Sequence, residues 1–276
     1  MTGNETMGGS FSRSVLGRTG SPVFRLGLSA SYRPGVAAVR RAHDLGVNLF
    51  YGYGFDSQMV KGMREILPRH RESTVLVTGA YNLIIGYPNL RRSLEKRLRQ
   101  FQTDYIDVFL FMGVMKEREF PQRAREELRK LKDEGKVRAI GLSTHDRSFA
   151  GRLAAAGEAD VLMIRYNAAH RGAENEIFPH CAAHDPGVIS YTATRWTALL
   201  RRPRGWPSQE PIPTPGQLYR FVLSNPHVDV CLTGPRNVRE LEENLAALEA
   251  GPLSPEEMQY LRRFGDAVYS SGKAFK

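Results

Sequence analysis

Along this chain, short runs of almost unbroken apolar residues alternate with longer segments whose apolar side chains recur every three or four positions. The runs are FRLGLSA (24–30), VNLFYG (47–52), TVLVTGA (74–80), YIDVFLFMG (105–113), VRAIGLST (137–144), DVLMIRYN (160–167), GVISYTAT (187–194) and VDVCLTG (228–234). A strand with one face in water alternates apolar and polar residues, whereas a strand buried on both faces does not. These eight runs therefore read as parallel strands covered on both sides.

The segments between them carry helical spacing. GVAAVRRAHDLG puts Val36, Val39 and His43 on one face and stops at Gly46. NLRRSLEKRLRQFQ places Leu90, Leu94, Leu98 and Phe101 at helical intervals. NVRELEENLAALEAG opens on Asn237 as N-cap, and SPEEMQYLRRFGDAV has Ser254 as cap, Pro255 at the first helical position and Glu257 at the capping-box position. Strand–helix alternation at this count predicts an α/β fold, a (β/α)8 TIM barrel in a single domain over residues 1–276, with an extra C-terminal helix. A doubly wound open sheet competes, but no GxGxxG follows the first strand. The Pro-rich stretch RRPRGWPSQEPIPTP (201–215) is expected to be a mobile loop, and about the first ten residues to be disordered.

Charge changes this picture little. The net charge is +10 with a pI near 9.8, which suits an anionic ligand such as a phosphorylated cofactor. Most basic residues, however, are interleaved with acidic ones on helical faces (RRSLEKRLRQ, EREFPQRAREELRKLKDE), a solvated-surface pattern that argues against nucleic-acid binding. No apolar run is long enough to span a membrane. The polar start MTGNETMGGSFSR lacks a signal peptide's apolar core, so a cytoplasmic placement is expected. Two cysteines, Cys181 and Cys231, give neither a disulfide framework nor metal spacing. His180 and His184 stand at i, i+4, with Glu174 on the same helical face, but no third ligand is evident and no metal site is expected.

Barrel enzymes place their chemistry at the C-terminal ends of the strands. Those ends carry Tyr51 and Tyr53, Gly79, Met112, Ser143 to Asp146, Arg165 to Asn167, Tyr191 to Arg195, and Gly234 to Asn237. His145 could serve as an acid or base near neutral pH. Arg165 could bind an anion, and Arg195–Trp196 could wall a pocket or stack on a ligand.

These strand ends, in this order, resemble the aldo-keto reductase family. SVLGRTGSPVFRLGLSA resembles its N-terminal β-hairpin and first strand, DYIDVFLF the fourth, GKVRAIGLSTHD the fifth, GVISYTA the seventh, and LTGPRNVRELEENLAAL the eighth with its cofactor helix. The resemblance implies NADP(H)-dependent reduction of a small carbonyl. It implies a cofactor held by Ser143, Tyr191, Gly234, Arg236, Glu243 and Asn244, with Arg236 toward the 2′-phosphate. The family protonates its product with a Tyr tuned by a Lys–Asp pair and a His. Here Tyr51 stands in place of the Asp, Gly79 of the Lys and Met112 of the His, and Tyr53 is the nearest counterpart of the Tyr. Thr144 replaces an Asn, and Met163 stands near where the sixth strand carries an amide. The sequence thus gives Tyr51, Tyr53 and His145 as catalytic candidates, with Met112, Arg165, Asn167, Arg195 and Trp196 around a small carbonyl or anionic substrate. A catalytically silent barrel, acting as cofactor sensor or partner-binding protein, and a lyase or isomerase using the same pocket remain open beside it.

Overall fold

The computed structural model describes residues 11–81 and 88–271; the first ten residues, expected to be disordered, lie outside them. A hairpin of β1 (Arg13–Val15) and β2 (Pro22–Phe24) leads into eight parallel strands that close on themselves. These are β3 (Leu26–Ser29), β4 (Leu49–Tyr51), β5 (Val75–Tyr81), β6 (Ile106–Val114), β7 (Val137–Thr144), β8 (Val161–Arg165), β9 (Gly187–Tyr191) and β10 (Val230–Thr233), with β10 pairing back onto β3. Each falls within or within one residue of a predicted apolar run.

The helices are α1 (Gly35–Asp44), α2 (Ser57–His70), α3 (Leu90–Phe101), α4 (Gln122–Asp133), α5 (Arg147–Ala156), α6 (Ala173–Glu176), α7 (Pro215–Leu223), α8 (Val238–Ala246) and α9 (Pro255–Ser271). The cap signals act as read. Asn237 accepts from the Glu240 amide at 2.9 Å. Ser254 and Glu257 bond reciprocally, side chain to backbone, at 3.2 and 2.8 Å. Gly46, at φ 87°, makes the left-handed turn after α1 that a side chain would resist. The buried face of α1 is Ala38, Val39 and Ala42, rather than Val36, Val39 and His43.

Strand pleat sorts the core into two layers. Alternate strand residues such as Leu49, Val77, Leu110 and Ile189 fill the barrel, and Leu16 and Val23 of the hairpin join this inner cluster. Their neighbours Phe50, Leu76, Phe109, Phe111 and Leu162 face the helices. The apolar runs look continuous because both layers are dry.

One further expectation meets a different structure. Residues 174–184 do not form one helix: α6 ends at Glu176 and a separate 3-10 turn follows at Phe178–His180. Pro179 inside this stretch has no amide hydrogen to extend a helix, so His180 and His184 do not share a helical face. Loop 201–215 is fastened to α9: the Trp206 ring meets Phe264 at 4.9 Å, Tyr260 donates to the Pro211 carbonyl at 2.9 Å, and Arg263 pairs with Glu210.

Candidate active site

At the C-terminal ends of the strands lies a cleft of about 480 Å³. Pleat and register decide which side chains reach it. On β4, Leu49 and Tyr51 point inward; on β5, Val75 and Val77 do so, which carries Gly79 and Tyr81 to the same face. On β6 the inward series ends at Met112, next to Gly113 at φ 81°, where the ladder to β7 shifts register between Phe111 and Val114. Such irregularities re-aim side chains at barrel rims.

The wall formed by β5 therefore carries Tyr81. Its hydroxyl is in hydrogen-bonding contact with that of Tyr51. Tyr51 is buried and donates to the Met112 sulfur at 2.9 Å. Burial, with the neighbouring Tyr81 and Tyr53, holds the Tyr51 phenol well above its ordinary pKa. Burial pushes Tyr81 up to about 12. Tyr53 stands nearer the opening, its hydroxyl sharing a hydrogen bond with Ser31 at 2.9 Å. Its ring stacks on Tyr81 at 6.2 Å and on Phe55 at 5.1 Å.

His145 does not approach Tyr51 or Tyr53. Its Nε2 lies 3.2 Å from the Tyr191 hydroxyl. Partial burial and the nearby Arg165 pull its pKa down. Tyr191 is raised to about 12 by burial, against the Ser143 hydrogen bond and Arg165. Arg165 ends β8 half-buried on the inward face, flanking the cleft rather than lining it. Beside Tyr191, the Thr192 hydroxyl lines the cleft and is buried with no hydrogen-bond partner among the described residues.

The opposite end is built from β10 and α8. Gly234, Arg236, Glu240, Glu243 and Asn244 line it. Arg236 is exposed, while its backbone amide donates to Glu240 at 2.9 Å. Glu243 pairs with Arg239 at 2.8 Å. Asn244 is buried and donates to Thr233, which in turn donates to Tyr219. The first-turn amides of α8 and the Arg236 guanidinium present positive potential to an anion.

Besides Arg165, two more sequence candidates do not line the cleft. Asn167 is fully buried, donates to the Thr192 carbonyl at 2.8 Å and accepts from the Ala169 and His170 amides, so it braces the loop under Tyr191. Arg195 is buried and donates to the Val268 carbonyl at 2.8 Å, tying the loop to α9. Trp196 does line the cleft and is 60% exposed. Tyr81 and Thr192 were not singled out by sequence. Extending the 74–80 run by one residue in period two would have placed Tyr81 inward.

Residues 35–211 match the model of the aldo/keto reductase family. The chain belongs to that family. Among its relatives, the NADH-specific methylglyoxal reductase of Escherichia coli (strain K12) is 28% identical over 177 residues, spanning 56% of this chain and 54% of that protein. The chain thus aligns with about half the length of that relative. L-galactose dehydrogenase of Arabidopsis thaliana is 25% identical over 282 residues, 85% of this chain and 87% of that protein. The holo form of an aldo-keto reductase from Bacillus halodurans superposes with a TM-score of 0.77 at 20% identity, covering 95% of this chain and 98% of the other. An aldo-keto reductase from Klebsiella pneumoniae in complex with NADPH gives 0.71 at 24% identity, covering 92% and 95%. The family's fold is present in full, including the hairpin beneath the barrel. Among the described residues, no lysine or histidine meets the Tyr51 or Tyr53 hydroxyl.

Proposed function

We propose that this protein is an NADP(H)-dependent oxidoreductase that reduces a small carbonyl substrate with a proton donor other than the family's usual set. One observation carries the reading: a single cleft joins the α8 terminus, with Arg236, to an aromatic chamber around Tyr51, Tyr53 and Tyr81. A dinucleotide laid along it would set its phosphates against Arg236 and α8. Its reactive ring would lie beside Tyr191, where the unpartnered Thr192 hydroxyl and Ser143 can bond a carboxamide. The bound cofactor supplies a hydride; the chain's part is to orient the acceptor and to provide or dispense with a proton. Tyr53 is better placed as donor than Tyr51, whose hydroxyl is held by Met112. His145 acts on Tyr191 rather than on either. The NADPH of the Klebsiella relative and the printed activities of the curated relatives support this reading. It takes the chain as one cytoplasmic domain.

The Tyr51–Met112 bond and Gly79 favour a second reading, a silent barrel that binds the cofactor without turnover. Calorimetric titration with NADPH and NADH, followed by an aldehyde and ketone panel, separates the two. We expect NADPH to bind, and Arg236→Ala to weaken NADPH about tenfold, roughly 1.4 kcal/mol, with less effect on NADH. Binding without turnover leaves the silent barrel, and no binding at millimolar concentration removes both.

A further inference from the structure

We infer that Arg97, on α3, is a positioning residue of the reaction centre: it clamps the turn that carries Tyr53 and brings a positive charge, free of any carboxylate partner among the described residues, to the tyrosine cluster. This rests on the oxidoreductase reading above, with Tyr53 as the donor. Arg97 comes from the helix ring and does not line the cleft, so its strand-end neighbours give no sign of it in the sequence.

The clamp is local. The Gly54 carbonyl accepts from Gln100 Nε2 at 2.7 Å and from Arg97 Nη1 at 3.4 Å, and the same Nη1 donates to Gln100 Oε1 at 2.6 Å. Arg97 and Gln100 are three residues apart, so both side chains leave one face of α3. Gly54 is left-handed at φ 80°, and a Cβ added there would fall on the Arg97 guanidinium. The turn thus fits the cation through both its backbone angle and its missing side chain. Tyr53 directly precedes Gly54. Its hydroxyl shares a hydrogen bond with Ser31, and Ser31 shares one with Ser29 at 2.7 Å. One restraint on the backbone and one on the hydroxyl hold the Tyr53 ring against Tyr51 and Tyr81.

The charge is the second observation. Arg97 is part-buried, and its Nε is buried with no hydrogen-bond partner among the described residues. Arg71 and Arg125, likewise part-buried, each pair with a carboxylate. Burial pulls the Arg97 pKa down, while the Tyr81 and Tyr51 phenols act to raise it. Reciprocally, Arg97 opposes the burial that raises Tyr81. The groups facing Tyr51 are Tyr81, Tyr53 and Tyr191, and those facing Tyr81 are Tyr51, Tyr53 and Arg97. Sheltering a cation without a counter-charge is unfavourable. It becomes favourable when negative charge appears nearby. In the reduction the Tyr53 O–H bond breaks, its proton passes to the substrate oxygen, and the electron pair stays on the phenol oxygen. A proton from water then restores the phenol. A cation fixed in place before that charge forms lowers the barrier to forming it.

The test uses the full chain carrying tyrosine labelled with carbon-13 at the phenol carbon, the Tyr53 resonance being identified by its loss in Tyr53→Phe. Arg97→Met is expected to shift this resonance, and Arg97→Lys, which keeps the charge and a donor, to return it toward the parent position. In steady-state reduction of a carbonyl from the aldehyde and ketone panel, Arg97→Met should lower kcat about 100-fold, and Arg97→Lys should recover at least about tenfold of that loss. The NADPH Kd should stay within about twofold of the parent, because the phosphate-binding end of the cleft is untouched. Should Arg97→Met fail to fold, Arg97→Gln, which keeps amide donors without the charge, replaces it in both measurements. An unmoved Tyr53 resonance, an unchanged kcat, or a lysine variant no better than the neutral one overturns the inference and leaves the oxidoreductase reading standing. A parent chain that binds NADPH and reduces no carbonyl overturns both.

Discussion

His145 shows how a residue's chemistry is set by what surrounds it. Its type alone allows an acid or base near neutral pH. The structure gives it the Tyr191 hydroxyl at 3.2 Å and the Arg165 charge. Its folded pKa is depressed, so the imidazole is neutral at pH 7 and becomes charged only below the usual value near ~6.5. The ring resonances in a proton NMR titration should have a midpoint below that value, and Arg165→Met should raise it. A midpoint unmoved by Arg165→Met would show that burial alone is responsible. Strand-end position was enough to flag Tyr51, Tyr53, Ser143, Tyr191 and Trp196 as cleft residues. It failed for Asn167 and Arg195, because a polar residue just past a strand is as well placed to brace a loop as to meet a ligand.

On β5 the question is whether a cation fits at position 79. Gly79 points inward beside Leu110 of β6, and a Cβ added there would run into the Leu110 carbonyl. Gly79→Lys should therefore not rebuild the family's reaction centre. We expect it to cost about 2 kcal/mol or more, roughly 5 °C in Tm for a chain of this size, by thermal unfolding. A variant as stable as the parent would mean that the strand backbone yields there. Periodicity identified the strands and long helices, because dry faces and helical stripes are written locally. It misread 174–184, where single residues at helical spacing did not outweigh Pro179 and the break after Glu176.

For the molecule as a whole, the hairpin that closes the bottom of the barrel also sets an acid response. Arg18 donates its amide to the Asp185 carbonyl, and Asp229 holds the Val188 amide at 2.9 Å. Burial, with the neighbouring Asp185 carboxylate, pushes Asp229 up to about 6, against the Val188 amide and Arg25, which pull it down. A carboxyl whose folded pKa exceeds its unfolded value near ~3.9 favours the fold most at low pH. Its contribution declines as pH rises from about 4 to about 6 and is constant above that. Asp229→Asn should flatten this decline and gain about 1–2 kcal/mol at pH 7 relative to pH 4, after allowance for partial exposure. Denaturant unfolding at pH 4, 5.5 and 7 checks it, and identical slopes in parent and variant would refute it. The sequence by itself determined the barrel, its strand order and its caps, because these are properties of local pattern and of residue identity. Only the tertiary structure decided that Tyr81 meets Tyr51, that His145 contacts Tyr191, and that Arg195 bonds to α9. Those outcomes depend on pleat direction, a register shift in β6 and contacts between residues far apart in the chain, none of which a single segment encodes.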